Sequence, residues 1–433
     1  MSGTNFRAWF ALAMFFAAAV LSYTDRLILN LLVEPIRHDL GITDLQISFL
    51  QGAAFAIIYA IVGLPLGLFA DRRNRRNVVL GGIVLWSVAT AACGFASGFW
   101  PFAAARIFVG IGEATLAPAV MSMIPDLFPP ARRGTAIAVF LSGMTIGGGA
   151  ATLFGGLLLG LLAGGHLAFL PIVGSLPPWR GVLVLLSVPG LLIALLMAFI
   201  REPARADMRV PAAQSRIADT VAYFFRHKWM FIALFGAFAF LQLVDYGFSA
   251  WLPAMMGRRF HIPAFKAGPM IGAIAIVFGG LGTILGGLFA DRLVRRGVAD
   301  ARLRIALIAY TIALPTFVFP LMPAAGLSLA LYAAYSIVSG IGGSAGLAAT
   351  QDAVPPQMRG FSVSLQAFLY TLFGLGVGPS VVALTTQTIA RGPAGVGLAM
   401  MVVAIPAALV ALLLLAIARR PYRARVEALA QPS

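Results

Sequence analysis

Apolar residues run along this chain in long stretches, neither alternating every second position nor recurring once per helical turn. Twelve such stretches predict spans near 8–33, 46–70, 77–97, 101–125, 134–163, 180–200, 229–256, 266–290, 302–322, 326–350, 360–388 and 395–418. Each is long enough to cross a hydrocarbon core of about 30 Å at about 1.5 Å per residue. In lipid the backbone must bond within its own segment, so the runs predict helices; the period-two pattern of a membrane barrel is absent. The expected class is an all-α membrane protein.

Composition agrees. The 433 residues are 60% hydrophobic and 11% charged, too few charges to clothe a soluble protein of this length. In a soluble protein the net charge of +16 would point to nucleic acid. Here the positions of the bases explain it, and no nucleic-acid partner is expected. With the amino terminus inside, 23 of the 31 Lys and Arg fall in cytoplasmic segments, six outside, and Arg26 and Arg106 within spans. The positive-inside rule therefore puts both termini in the cytoplasm. Alanine- and arginine-rich usage with short loops fits a bacterial cytoplasmic (inner) membrane. The first apolar run is too long for a cleavable signal peptide. One cysteine, Cys93, excludes a disulfide or thiolate cluster, and no metal site or cofactor other than the coupling proton is expected.

The chain repeats itself. Residues 67–76 read GLFADRRNRR and residues 287–296 read GLFADRLVRR, 220 positions later. At that offset Asp25 matches Asp245 and Gly52 matches Gly272. Farther on, Asp126, Pro129, Arg133 and Gly134 recur 226 positions later as Asp352, Pro355, Arg359 and Gly360, so a few residues are inserted in the second copy. The expected organisation is a six-helix bundle at 1–200, a cytoplasmic linker at 201–228 and a second six-helix bundle at 229–433 with a short tail. Two pseudo-symmetric six-helix halves in parallel repeat are the arrangement of the major facilitator fold. That fold implies a substrate site near the bilayer midplane and alternating access.

Ionisable groups inside spans are costly unless paired or wet, so each is a functional candidate. Asp25 and Arg26 lie in span 1; Arg106 and Glu113, almost two turns apart on one face, lie in span 4. Either an Asp25–Arg106 or an Arg26–Glu113 pair fits the spacing. Protonating Asp25 or Glu113 would free an arginine to attract an anionic substrate group, a route to proton coupling. A static ion-pair network that only fixes helix packing would use the same four charges. Asp245 repeats Asp25 but is followed by Tyr246 rather than arginine, which puts the proton chemistry in the first half. Asp245 and Tyr370 are candidate substrate contacts. Tyr23, Asn30, Met144, Gln242, Tyr335, Gln366 and Phe373 are weaker cavity candidates. At the cytoplasmic ends, Asp71, Arg75, Asp126 and Arg133 form a candidate gating latch, repeated by Asp291, Arg295, Asp352 and Arg359. Asp71 could accept from a helix amino end, where the macrodipole favours an anion.

With these motifs in place, the chain resembles the major facilitator superfamily over nearly its whole length. GLFADRRNRRNVVL (67–80) is similar to the superfamily's loop 2–3 pattern, with Phe69 and Asn74 replacing the usual leucine and glycine. RIFVGIG (106–112) is similar to the span-4 pattern of proton-coupled members. GMTIGGGAATLFGG (143–156) meets the antiporter pattern only in part. Within the superfamily, YTDR (23–26) and RIFVGIGEATLAPAVMSMIPDLFPPARRG (106–134) resemble the spinster-like group. That resemblance implies proton-coupled transport of lysolipids or sphingosine-1-phosphate-like amphipaths. It assigns Asp25, Arg26, Arg106 and Glu113 to coupling and headgroup binding. The implied partners are a small amphipathic substrate and the bilayer, with the monomer as the working unit. Multidrug/proton antiport and organic-anion transport stay open as alternatives. An integral-membrane enzyme or sensor is remote: no HExxH or HxxxxD occurs, no catalytic residue is expected, and the four histidines fall in loops or at span ends.

Overall fold

In a computed structural model the described residues are 3–203, 217–390, 392 and 395–430. The side chains of 3–5, 64, 67, 68, 70–72, 217 and 218 lie outside that description, as does the middle of the expected linker, 204–216. The described residues form helices and connecting turns, with no strand among them.

Twelve helical segments of the described chain are long and apolar enough to cross a membrane. Spans 1 to 6 are Phe6–Leu31, Asp44–Gly63, Arg75–Gly94, Phe99–Leu127, Pro130–Ala163 and Pro178–Met197. Spans 7 to 12 are Lys228–Phe260, Ala264–Arg295, Ala301–Leu321, Ala325–Asp352, Pro356–Thr388 and Gly395–Ala430. Local chemistry sets several starts. Thr43 and Gln46 form a reciprocal capping box before span 2. The Asn74 side chain accepts from the Asn77 amide at 2.9 Å and caps span 3, so the asparagine that departs from the superfamily pattern has a structural use. Pro130 and Pro178 sit in the first turns of spans 5 and 6, where no amide hydrogen is missed.

The described chain divides into two compact units, Met1–Met208 with Met256–Ala273, and Arg209–Met255 with Ile274–Ser433. The sequence repeat assigns 256–273 to the second half, but it packs in the first unit. The physical reason is close helix approach through small residues. A Cβ on Gly268 would lie 2.7 Å from the Thr152 carbonyl oxygen, and one on Gly272 2.7 Å from that of Gly149.

Span 1 and span 5 pack closely by the same means. A Cβ on Gly143 would stand 2.9 Å from the Phe16 carbonyl oxygen and 3.1 Å from the Ala19 side chain. In the second unit, rings stand beside glycines of span 10. Gly342 faces the Tyr310 ring and Gly346 the Phe238 ring. Phe248, Phe317, Phe319 and Tyr335 form an edge-to-face cluster.

Three spans contain π-helical turns: Phe49–Ala53 in span 2, Ala275–Gly279 in span 8 and Tyr370–Val377 in span 11. Such turns shift the hydrogen-bond ladder and are frequent at functional sites.

Candidate functional site

Asp25, Arg26, Arg106 and Glu113 are all buried, none more than 4% exposed. The structure brings them together, with one pair bonded directly. Arg26 donates to Glu113 Oε2 through Nη2 at 2.8 Å and Nε at 3.2 Å, and the Ser22 hydroxyl donates to the same oxygen at 2.8 Å. Ser22 lies one turn before Arg26, so the i,i+4 spacing carried a signal for it that the charges alone did not. The Arg26 guanidinium also lies over three rings, 4.5 Å from the Tyr23 centroid, 4.4 Å from Phe55 and 5.2 Å from Tyr59. Such contacts strengthen when water is excluded. Nothing in the apolar run of span 2 distinguishes Phe55 or Tyr59 as a partner.

The alternative Asp25–Arg106 side-chain pair does not form. Arg106 spends its donors on main-chain carbonyls instead, Leu50 and Asp25 at 3.3 Å and Arg26 at 3.5 Å. Leu50 lies in the π-turn of span 2. Arg106 thus ties span 4 to spans 1 and 2 while its charge meets no carboxylate in direct contact. Asp25 receives one long hydrogen bond, from Thr90 at 3.5 Å, and its Oδ1 has no hydrogen-bond partner; nor has Glu113 Oε1. Two carboxyl oxygens are therefore buried with acceptor capacity unused, at a site holding two arginines.

The second unit is chemically different at the repeat-related position. Asp245 accepts from the Tyr335 hydroxyl in a short hydrogen bond and from Ser339 at 2.9 Å. No cation pairs with it among the described residues. A neutral relay joins span 10 to span 11: Thr350 donates to Gln366 Oε1 at 2.6 Å, and Gln366 Nε2 donates to the Tyr370 hydroxyl at 2.5 Å. Elsewhere in the first unit, Gln51 Nε2 donates to Asn30 at 3.2 Å. Ser339, a hydroxyl in an ordinary small-residue stretch, had no distinguishing signal.

At the latch, the guanidinium of Arg75 is buried and multiply bonded. It donates to Asp126 at 2.6 Å, Glu202 at 2.8 Å, and the Ser122 and Pro203 carbonyls at 3.0 Å. Glu202 also accepts from the Arg76 amide at 2.8 Å. Arg133 donates to the Phe128 carbonyl at 3.1 Å. The side chain of Asp71 lies outside the described residues. In the second unit Asp352 pairs with Arg302 at 2.5 Å, and Arg302 lies 3.8 Å from Asp291; Arg295 and Arg359 are exposed and form no ion pair among the described residues. The insertion explains the change. It falls between the Asp291 motif and the start of span 9, so at the offset of 226 Arg75 maps to Ala301 and Arg76 to Arg302. Arg302, one residue past the Arg75 position, meets Asp352, and Arg295 is left before the span. Nearby Asp300 accepts from Arg419 at 2.6 Å and Arg304 at 3.0 Å. Burial would push its carboxyl up, but the two guanidiniums outweigh that and hold it below the usual range.

No group of three or more His, Cys, Asp and Glu able to hold a metal occurs among the described residues.

The Major Facilitator Superfamily profile matches residues 14–379. An MFS-type efflux pump of Mycolicibacterium smegmatis is 28% identical over 88% of this chain and 85% of its own length. A probable L-galactonate transporter of Escherichia coli is 28% identical over 68% of this chain and 64% of its own. The crystal structure of a bacterial homolog of the human lysosomal transporter Spinster, inward-facing and unoccupied, has a TM-score of 0.82 over 100% of both chains at 24% identity. These relatives are transporters and not enzymes. With twelve spans, a duplicated Asp-Arg loop and a family profile covering most of its length, the chain belongs to the Major Facilitator Superfamily.

Proposed function

We propose that this protein is a proton-coupled secondary transporter of a small amphipathic substrate bearing an anionic or zwitterionic group. It works by alternating access, as a monomer in a bacterial inner membrane with both termini cytoplasmic. The observation that carries the reading is the unequal partnering of the four buried charges. Glu113 is bonded to Arg26, whereas among the described residues Arg106 hydrogen-bonds to carbonyl oxygens and lies over the Phe55 ring at 5.8 Å, and Asp25 makes no ion pair. Asp25 can therefore gain or lose a proton with the least rearrangement of neighbouring bonds. Arg106 offers the charge that an anionic headgroup meets. When the anion enters, it competes with carboxylate charge at the site, which couples substrate to proton. In the second unit Asp245 and Tyr370 are candidate contacts for polar groups of a substrate, each held in a hydrogen-bond network without a cation.

A second reading takes the substrate as a hydrophilic organic anion, as the name of the galactonate relative says of that protein. Both readings need the arginine; they differ in the apolar tail. Proton flux in proteoliposomes under an imposed pH gradient separates them, with lysophospholipids, sphingoid phosphates, sugar acids and drug cations as challenges. Flux triggered by the anionic amphipaths supports the proposal. Flux with sugar acids alone selects the second reading, and flux with drug cations alone defeats both.

A further inference from the structure

The two repeats pack their matching helix pairs differently, and the difference leaves a groove. In the first unit Gly143 and Gly147 of span 5 let it lie against Phe16, Ala19 and Val20 of span 1. The repeat offsets of 226 and 220 carry these positions to Leu369 and Phe373 of span 11, and to Gly236, Ala239 and Phe240 of span 7. Those same residues line a cavity of about 440 Å³, within the range of ligand pockets, roughly 300–1,000 Å³. Large side chains stand where glycines allowed contact, so the cytoplasmic parts of spans 7 and 11 stay apart. The helices converge again at Gly374 and Gly378. A Cβ on Gly374 would be 3.1 Å from that of Gln242, and one on Gly378 2.7 Å from the Leu243 carbonyl oxygen.

The groove's walls are hydrocarbon and aromatic apart from Lys228 at one end. From Lys228 to Leu243 it follows span 7 for about 22 Å at the helical rise, more than the roughly 15 Å half-thickness of a hydrocarbon core. The amphipathic helix Ile217–Arg226 closes the Lys228 end with Phe224 and Phe225. At that end Arg226 and Lys228 are exposed and have no acidic partner among the described residues. The adjacent Trp229 is 74% exposed, as interfacial aromatics are. An apolar slot one leaflet deep, with cations at its mouth that meet no carboxylate among the described residues, Lys228 lying over the Trp229 ring at 5.5 Å, complements an acyl chain below a phosphate.

We propose that this groove holds one acyl chain of an anionic phospholipid of the cytoplasmic leaflet, its phosphate meeting Lys228. The lipid is resident, not transported, and fills the gap that glycine packing closes in the first repeat. The orientation rests on the cytoplasmic placement of Lys228 proposed above; the groove itself does not depend on proton coupling.

The test is native mass spectrometry of the full-length protein in mild detergent after incubation with equimolar phosphatidylglycerol and phosphatidylethanolamine. Wild type should retain one phospholipid with at least threefold enrichment of phosphatidylglycerol. Ala239→Trp should fill the groove and lose at least 80% of the adduct. Lys228→Gln should retain a lipid but not the preference. Because a bulky substitution can disturb folding, Phe373→Gly with Leu369→Gly restores the first-repeat register and should lose the adduct by closing the gap. No adduct on wild type, or full adduct on both groove variants, overturns the proposal. Displacement of the phospholipid by a transported amphipath would show a substrate path instead and also overturn it. Loss of proton flux would leave this result untouched, so the two proposals fail separately.

Discussion

The two halves carry an aspartate at the same repeat position and surround it with opposite chemistry. Asp25 sits among Arg26, Arg106 and Glu113, all buried, while Asp245 is met by the hydroxyls of Tyr335 and Ser339. A duplicated fold has thus kept a carboxyl in both bundles and kept full charges around only one. Buried charges are expensive, and inside a membrane span each is a functional candidate by default. Hydroxyls around a carboxyl hold it without a compensating charge. On the proposed reading the first bundle moves charge, and the second recognises polar groups.

The largest expected break of this contrast is Glu113→Gln, which leaves the Arg26 guanidinium buried without its anion. A cost of about 3–5 kcal/mol follows, read as a marked loss of thermal stability in detergent. Adding Arg26→Gln should recover much of that stability without recovering transport; a double variant as unstable as the single one would show the pair is not the source. The matching change in the second half, Asp245→Asn, removes no ion pair and should cost far less stability, with proton flux kept and apparent substrate affinity weakened. If Asp245→Asn instead abolishes proton flux, the division of labour between the bundles is wrong.

The latches offer a smaller contrast. Arg75→Ala removes an ion pair from each of Asp126 and Glu202 and should lower thermal stability clearly. In the second half Arg302→Ala should behave likewise and Arg295→Ala should fall within about 0.5 kcal/mol of wild type, as exposed substitutions do. Equal effects at Arg302 and Arg295 would remove the assignment. The smallest effect concerns acid. Asp300 has a carboxyl held below its usual range, so its stabilisation is complete above the unfolded value near 4 and is lost as pH falls through the lower folded value. Asp300→Asn should flatten the fall of melting temperature below about pH 4; an unchanged slope would assign it to other carboxylates.

Much of this was legible in the sequence because lipid leaves few choices. Apolar runs must be helices, so the twelve spans could be read within a few residues. Span 12 departs most: it continues through Arg419 and Arg420 to Ala430, because arginines end a lipid-compatible run but not a helix. The four intramembrane charges announced themselves by their cost. Which of them would pair did not, since Arg106 could be satisfied equally by backbone, and only the fold brings the Leu50 carbonyl to it. Thr90, Tyr59 and Ser339 are ordinary residues on ordinary spans, and their contacts exist only in three dimensions. Arg302 was hidden by the insertion, which shifts the register between two copies of one motif. The packing of 256–273 with the first unit had no linear signal, because the repeat pointed the other way.

The most direct measurement is to run substrate counterflow and proton-driven accumulation side by side in proteoliposomes for wild type, Asp25→Asn and Asp245→Asn, each checked for folding. With the proton site in the first bundle, Asp25→Asn keeps counterflow but accumulates substrate at least tenfold less under a pH gradient, while Asp245→Asn still accumulates. Accumulation by Asp25→Asn at the wild-type level would contradict proton coupling at this carboxyl and leave the buried charges with a packing role alone.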